Sequence, residues 1–393
     1  MMRRRNAIEM HHVTVYRATG RYAGWPANYG IWSWGDEIVT GFTLGYHDNG
    51  GGFHARDTGR PFVAMQARSM DGGATWDSFD APLRAPGNAG ISADEHMRDR
   101  QLPVSERGNA PAPHPGGIDF THPDFALLCA RTGLKAGAES WFYTSNDRCC
   151  SWQGPFSLPM FGQLGIAART DYLAPGPALI ESVHQDAEGT GRCTLLLTAT
   201  KPDGEEGRVF CARTEDGGKS FEFVSWLRPD PPGFDIMPSS VRLGVRLDPG
   251  ARPDSGAGGN PIVTAVRSRN ASGDRNWIDL MRSDDDGRSW RCVSTPAPDT
   301  GTGGNPPAMI RLSDGRLCLA YGYRDPPSGI RAVLSEDDGQ SWGDEIVLRD
   351  GGGNHDIGYP RSIQRGDGRV VTVYYFNDSP DGERYIAATI WQP

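Results

Sequence analysis

The 393-residue sequence lacks several features that would assign it to a familiar class. No stretch approaches the ~18–20 consecutive apolar residues of a membrane-spanning helix, so we expect no membrane partner. Positive charge is not in excess, because 40 Lys and Arg residues stand against 49 Asp and Glu residues. The formal net charge of -9 argues against nucleic acid as a partner. The start of the chain has a basic cluster with no apolar run behind it, which does not resemble a secretion signal.

Cysteine is scarce and is not arranged for cross-linking. The seven cysteines are odd in number and lack the paired spacing of zinc sites. Cys193, Cys211 and Cys318 lie in strand-like runs, which favours reduced core residues of a cytoplasmic protein over a disulfide framework. No helix longer than a turn or two is evident. We predict no cofactor and no bound metal.

Glycine, proline and an internal repeat are what the chain has in abundance. Its 52 glycines and 30 prolines fit many short strands joined by tight turns. The pattern [Ser/Thr]-x-Asp-x-Gly-x-[Ser/Thr]-[Trp/Phe] occurs five times, with Cys149 replacing the glycine in the second copy. These copies, called the repeat turns below, occupy residues 69–76, 145–152, 214–221, 283–290 and 335–342. A fixed internal repeat indicates a repeat fold.

The residue types of the repeat turn predict a β-turn that its own side chains lock. Asp and Ser/Thr side chains hydrogen-bond nearby backbone N–H groups. Glycine supplies a positive φ, and the closing aromatic ring packs under the turn. The acidic run from Asp284 to Asp286 also invites a calcium interpretation. No Glu follows at the bidentate position of a calcium loop, so the structural interpretation is favoured.

The repeat turn is identified as the Asp-box, and the chain resembles the sialidase superfamily over nearly its whole length. Between the turns, Pro precedes an apolar strand, a Gly-containing turn and a second strand, as in 305–321 and 359–375. Each unit is therefore a four-stranded propeller blade. We predict an all-β, single-domain, six-bladed propeller of the sialidase type. Its blades lie near 25–85, 117–160, 166–228, 236–296, 304–349 and 357–393, and strand 10–17 completes the last blade.

Ligands of a propeller bind at one mouth of the central channel, which the starts of the inner strands and the loops between second and third strands reach. The repeat turns lie on the opposite face. Four arginines from four blades are candidates to grip one anion, such as the carboxylate of an acidic sugar: Arg169, Arg267, Arg324 and Arg361. For any single arginine, local pairing with an aspartate is the alternative. Five further residues are expected as substrate contacts: Trp25, His122, Asp124, Tyr323 and His355.

The resemblance implies where the catalytic groups lie. Sialidases carry an acid/base Asp in the loop that follows the second strand of the first blade, and Asp57 occupies that loop here. His54 lies three residues earlier and could share the role or bind a substrate hydroxyl. Strand alternation aims Asp171 to the same face as Arg169, which makes Asp171 a further catalytic candidate.

Sialidases also use a Tyr nucleophile that a Glu activates. The available late-blade tyrosines are Tyr359, Tyr323 and Tyr321, and Tyr359 is taken as the catalytic candidate. Glu181 is the one Glu near a candidate inner strand.

One departure from the family pattern limits the functional expectation. True sialidases begin with an Arg-Ile-Pro phrase, whereas this chain has Gly24-Trp25-Pro26 at the matching place. This difference argues against a standard arginine triad and against cleavage of sialic acid itself. Three hypotheses stay open: an exo-acting glycoside hydrolase, a polysaccharide lyase acting on uronates, and a non-catalytic carbohydrate-binding propeller.

Overall fold

The computed structural model describes residues 9–50, 52–83, 110–175, 190–244 and 261–393. Within these ranges the one helical segment is the 3-10 turn Pro26–Asn28, and no helix is long and apolar enough to cross a membrane. Most of the predicted loop 86–116 lies outside the described residues, and so does Glu181.

Six sheets form the blades of a β-propeller, as predicted. Blade one contains β2 (Arg21–Gly24), β3 (Ile31–Trp34), β4 (Glu37–Tyr46), β5 (Val63–Ser69) and β6 (Asp77–Asp80). Blade two contains β7 (Ala126–Arg131), β8 (Ser140–Ser145) and β9 (Gln153–Ser157). Blade three contains β10 (Tyr172–Leu173), β11 (Cys193–Thr200), β12 (Glu206–Thr214) and β13 (Glu222–Trp226).

The second half of the ring is more regular. Blade four contains β14 (Gly233–Arg242), β15 (Ile262–Asn270), β16 (Asn276–Ser283) and β17 (Arg291–Ala297). Blade five contains β18 (Ala308–Arg311), β19 (Leu317–Tyr323), β20 (Gly329–Ser335) and β21 (Ile346–Arg349). Blade six contains β22 (Gly358–Gln364), β23 (Val370–Phe376), β24 (Tyr385–Trp391) and the N-terminal strand β1 (Met10–Tyr16).

The N-terminal strand closes the ring, which confirms that prediction. Strand β1 pairs antiparallel with β24, from Met10 opposite Trp391 to Tyr16 opposite Ile386. Val15 of β1 is buried in a core cluster that spans blades one and six. The two ends of the chain are therefore held together by backbone hydrogen bonds, and the outer edge of β24 is covered.

Three inner strands are broken at a residue that precedes a proline. Trp25, Met237 and Tyr359 have φ values of 59°, 52° and 49°, in the left-handed region that non-glycine residues rarely adopt. Trp25 separates β2 from β3, which both pair with β4. The pairing register shifts around Met237 in β14 and around Tyr359 in β22. Such bulges re-aim side chains, and all three interrupt the innermost strands of their blades.

The predicted first strand of blade two, expected within 117–124, is absent from the described structure. Ile118 N instead donates to Gly217 O in the third repeat turn, at 3.1 Å. The inner edge of β7 contacts another segment in place of the predicted strand. Cys129 N donates to the Thr170 hydroxyl of the segment leading into blade three. A neighbouring blade thus covers the edge that the missing strand would have covered.

All five repeat turns share one hydrogen-bond pattern, which the fourth illustrates. Gly287 N donates to Ser283 Oγ at 2.7 Å, and Ser289 N and Oγ donate to the two carboxylate oxygens of Asp285 at 2.8 and 2.5 Å. The fifth residue of each turn has a positive φ. In the second turn Cys149 adopts this conformation at φ 62° with its side chain buried.

The repeat turns also tie neighbouring blades together. The carbonyl oxygen of the fifth residue accepts a hydrogen bond from the preceding blade in three of the turns. The donors are Ser225 Oγ to Gly287 O, Ser294 Oγ to Gly339 O and Gln66 Nε2 to Cys149 O. The repeat therefore stabilises both its own turn and the joint between blades.

We predict that Asp285→Ala destabilises the protein by about 2 kcal/mol, because the Ser283 and Ser289 hydroxyls and the Ser289 N–H lose their acceptor. Asp284→Ala is the matched control. Asp284 is half exposed and only pairs with Arg282 and Arg291 on the surface, so its loss should cost under about 0.5 kcal/mol. Denaturant unfolding of both variants measures the difference. Equal losses would show that the turn does not stabilise the fold as described.

Candidate active site

The mouth of the channel is organised by a contact between blades one and six. The loop 52–56 of blade one lies against the segment 353–357 that leads into blade six. His54 Nδ1 is 2.5 Å from Asp356 Oδ1, and Ala55 N donates to Asp356 Oδ2 at 3.1 Å. His355 Nε2 donates to Phe53 O at 2.9 Å. We call this contact the seam.

Asp356 is the centre of the seam and is completely buried. Besides the two donors from blade one, it accepts hydrogen bonds from the Tyr375 hydroxyl at 2.8 Å and from Arg384 Nε at 2.9 Å. Burial alone would raise the pKa of this carboxyl group. The hydrogen bond from His54 and the guanidinium groups of Arg384 and Arg324 outweigh burial and hold the pKa well below its usual range. Asp356 is therefore an ionised anchor and not a proton donor.

His54 is neutral near pH 7. Burial lowers the pKa of its imidazole to about 4, despite the opposing attraction of Asp356. With Nδ1–H donating to Asp356, the lone pair lies on Nε2. A carboxylate–imidazole pair of this kind fixes the tautomer and the ring orientation of a general base. The ring also packs edge-on against Trp25, with centroids 5.2 Å apart.

A cationic cluster lies next to the seam and surrounds Tyr359. Arg267 Nη1 donates to the Tyr359 hydroxyl at 3.3 Å, and a second nitrogen donates to Gly303 O. Arg324 donates to Tyr375 OH at 2.8 Å and to a backbone carbonyl. Arg269 donates to Gly303 O and to an asparagine side chain. None of these three arginines forms an ion pair with a carboxylate of the described residues. We call them the arginine cluster.

The arginine cluster changes the acidity of Tyr359. Burial would raise the pKa of its phenol, but Arg267, Arg324 and Arg169 together lower it below the ordinary value. A phenol with a lowered pKa beside cationic donors is suited to act as a nucleophile or a base. Tyr359 is in the strained conformation described above, as residues at functional sites often are.

The other two predicted arginines have local partners. Arg169 forms an ion pair with Glu206 and donates to Asn28 Oδ1 at 3.2 Å. Arg361 uses one nitrogen to bind three carbonyl oxygens, of Ala27, Tyr29 and Thr170, at 2.6 to 3.0 Å. The structure thus brings Arg267 and Arg324 together at Tyr359 and assigns Arg361 to the joint between inner strands.

Asp171 lies below the mouth, in a channel cavity of about 410 Å³ that Arg361 also lines. Its two oxygens accept hydrogen bonds from the backbone N–H and the hydroxyl of Ser240, at 3.0 and 2.6 Å. Burial raises the pKa of its carboxyl group to about 6. Asp171 is therefore a link between blades three and four and is not part of the seam.

The remaining candidates are dispersed. Asp57 follows the seam loop and is half-buried, and its Oδ1 accepts a hydrogen bond from Gly59 N at 2.8 Å. Tyr323 ends β19, and burial followed by the charge of Asp299 raises the pKa of its phenol. His122 and Asp124 were predicted to lie at the mouth, but the structure does not place them there. Asp124 accepts a hydrogen bond from Arg148 of the second repeat turn, on the opposite face, because 117–124 forms no inner strand.

Some residues of the mouth carry no sequence signal of their own. Tyr375 and Arg384 lie at strand positions where a buried aromatic or a flanking arginine is ordinary, and only the fold brings them to Asp356. Glu206 begins β12, directly after the loop between the second and third strands of blade three. Because such loops reach the mouth of a propeller, the topology could have identified Glu206. Phe53 is a lone aromatic in a glycine-rich loop, which is a usable signal. No group of metal-ligating side chains occurs within the described ranges.

We predict that the wild-type protein loses stability between pH 6.5 and pH 4 relative to His54→Gln. The folded-state pKa of His54 is depressed, so its contribution is complete above pH 6.5 and is lost as the unfolded state takes up the proton. At pH 5 the wild type should lose about 2 kcal/mol more than the variant, relative to pH 7. Gln keeps an N–H donor for Asp356, and other histidines cancel in the comparison. Parallel pH profiles in urea unfolding would contradict a buried neutral His54.

A family model described as a BNR repeat-like domain matches residues 125–372, which is more than half of the chain. No curated protein matches. The structure is similar to that of a protein of unknown function from Dyadobacter fermentans DSM 18053. These two chains are 21% identical over 98% of this chain and 99% of that one, with a TM-score of 0.65.

Two enzyme structures are also similar. The NanB sialidase from Streptococcus pneumoniae is 12% identical, with a TM-score of 0.59 over 98% of this chain and 70% of that one. The α-L-arabinofuranosidase Arb93A from Fusarium graminearum, solved as a mutant, is 12% identical, with a TM-score of 0.57 over 96% of each chain. At these identities the likeness shows the fold alone. The family match, which spans more than half of the chain, establishes that the chain belongs to the BNR repeat-like domain family.

Proposed function

We propose that the protein is an exo-acting glycoside hydrolase whose substrate carries a carboxylate sugar. The observation that carries the proposal is the arginine cluster around Tyr359. Arg267 and Arg324 are 7% and 2% exposed, and neither forms a direct ion pair with a carboxylate of the described residues. Burial would lower the pKa of the Arg324 guanidinium group and Asp356 is close enough to raise it, but Asp356 does not hydrogen-bond to it. A ligand carboxylate would supply the bidentate partner that buried guanidinium groups prefer.

Three further residues complete the proposed chemistry. Asp57, in the loop that also carries His54, serves as the acid/base residue in this proposal. Tyr359 serves as the nucleophile, with the positive charge of the cluster favouring its ionised form. His54 accepts a hydrogen bond from a substrate hydroxyl through Nε2. Similarity to the NanB sialidase and to Arb93A supports the hydrolase class without identifying the sugar. The seven free thiols support a reducing compartment such as the cytoplasm.

We expect Asp57→Asn to abolish hydrolysis while the melting temperature stays within about 2 °C. An Asn oxygen can still accept the hydrogen bond from Gly59 N, so only proton transfer is lost. Asp48→Asn is the matched control, because Asp48 Oδ1 accepts from Gly50 N at 2.9 Å in the same loop. Turnover of a library of sialosides, uronides, rhamnosides and arabinosides is the measurement. Unchanged turnover by Asp57→Asn on an active substrate would exclude this role.

We expect Arg267→Met to reduce kcat/KM for a carboxylate sugar about 100-fold, because one charge-assisted contact worth about 3 kcal/mol is lost. The same variant should change kcat/KM for the carboxyl-reduced analogue by less than about threefold. Arg275→Met is the control, since Arg275 is an exposed arginine in the turn between β15 and β16, stacked on Trp277. Equal losses on both substrates would show that the cluster does not bind the carboxylate.

A lyase acting on uronates is the second candidate, and the state of the mouth carboxylates favours it. Asp356 is held ionised and Glu206 is paired with Arg169, whereas His54 is a neutral base near cations that could neutralise a uronate. Elimination would leave a double bond conjugated to the carboxylate, which absorbs in the ultraviolet. The product of any active substrate in the library therefore separates the two candidates. Absence of turnover with measurable glycan binding would instead support a binding propeller.

A further inference from the structure

Phe53 is an exposed aromatic residue at the mouth, and nothing in the proposed chemistry uses it. It is 44% exposed, although most large hydrophobic residues of the described ranges are buried. A phenyl ring exposed to water at the entrance of a polar site is the kind of surface that a ligand covers.

The ring is held in place and does not sit on a freely moving loop tip. The backbone carbonyl oxygen of Phe53 accepts a hydrogen bond from His355. The His355 ring packs against the Phe53 ring, with centroids 4.4 Å apart. The His54 ring contacts it edge-on at 5.0 Å. On the far side, Gly303 lies so close that a Cβ there would be 2.5 Å from Phe53 Cζ. Rigid aromatic rings contribute contact area at low entropic cost.

The position of the ring relates it directly to the site of chemistry. The Arg324 guanidinium carbon lies 5.4 Å from the Phe53 ring centroid and 5.5 Å from the Tyr359 ring centroid. Both rings therefore contact the same guanidinium group. A sugar bound at Tyr359 would have its neighbouring sugar within reach of Phe53.

We propose that Phe53 is the stacking surface for the second sugar of the substrate, the one released by cleavage. This inference rests on the proposed function and deepens it, because it predicts a preference for a disaccharide or longer glycan over a simple glycoside. The apolar C–H face of a pyranose covers the exposed ring. Gly303 and His355 keep the ring in the orientation that receives it.

The test compares two substrates that share the carboxylate sugar, one a disaccharide and the other the methyl glycoside. Phe53→Ala should raise KM for the disaccharide about three- to tenfold, the range expected for one aromatic contact, with kcat within twofold. KM for the methyl glycoside should stay within twofold. Phe53→Tyr keeps the aromatic ring, so this variant should have the wild-type KM for the disaccharide. Phe79→Ala, which removes a similarly exposed ring from the outer strand of the same blade, should change neither value.

Three results would overturn the inference. No change in disaccharide KM would show that the ring does not contact substrate. Equal increases for both substrates would show that Phe53 acts by holding the His54 loop. If Phe53→Ala lowers the melting temperature, Phe53→Leu keeps the contacts to Gly303 and His355 but lacks the planar face, and a wild-type KM in that variant would also refute stacking.

Failure of the proposed function is distinguishable from failure of this inference. If the wild type releases no product from either substrate, the hydrolase proposal fails. Calorimetry with the same disaccharide and methyl glycoside still measures whether Phe53→Ala removes the affinity difference between them, and an undiminished difference would reject the stacking surface on its own.

Discussion

The buried carboxylate of Asp356 is the interaction on which the mouth of this propeller depends. Its four donors come from blade one, through His54 and Ala55, and from blade six, through Tyr375 and Arg384. These are the blades that β1 joins when it closes the ring. An ionised group can remain in a dry interior only if its hydrogen bonds are satisfied, so the site and the closure of the ring are coupled. Loss of the contact with blade one would remove two of the four donors and leave the buried carboxylate incompletely hydrogen-bonded.

Local strain and the seam together explain how an otherwise repetitive ring produces one asymmetric site. The repeat turns are nearly identical in all five copies, and they face away from the mouth. By contrast, among the described inner strands only those of blades one, four and six carry a left-handed residue before proline. These bulges direct Trp25, Met237 and Tyr359 towards one side of the channel, where Arg267 contacts both Met237 and Tyr359. The regular blades around these residues stabilise the fold enough to hold them in a strained conformation.

The repeat turns could be predicted from sequence because their interactions are local. Asp285 and Ser289, which bond each other, are four residues apart, so the pattern of residue types contains the contact. His54 and Asp356 are 302 residues apart, and only the closed ring brings them together. The same limit applies to Arg169 and Arg267. Both are arginines that the sequence places at the mouth, but Glu206 forms an ion pair with the first and no described carboxylate forms one with the second. The fold was therefore predictable, whereas the ionic state of each mouth residue was not.

The substitution of tryptophan for the expected first arginine changes how an acidic ligand would be held. Trp25 is buried and packs edge-on against His54, so blade one contributes a rigid base and no cation at this position. The arginine cluster comes from blades four and five, through Arg267, Arg269 and Arg324. A carboxylate would then approach from that side of Tyr359, and the opposite side would be bounded by the rings of Phe53 and His54. The carboxylate would thus be recognised on one side of Tyr359 and the faces of the sugar on the other. Arginines placed around all sides of the ligand would not separate these two functions.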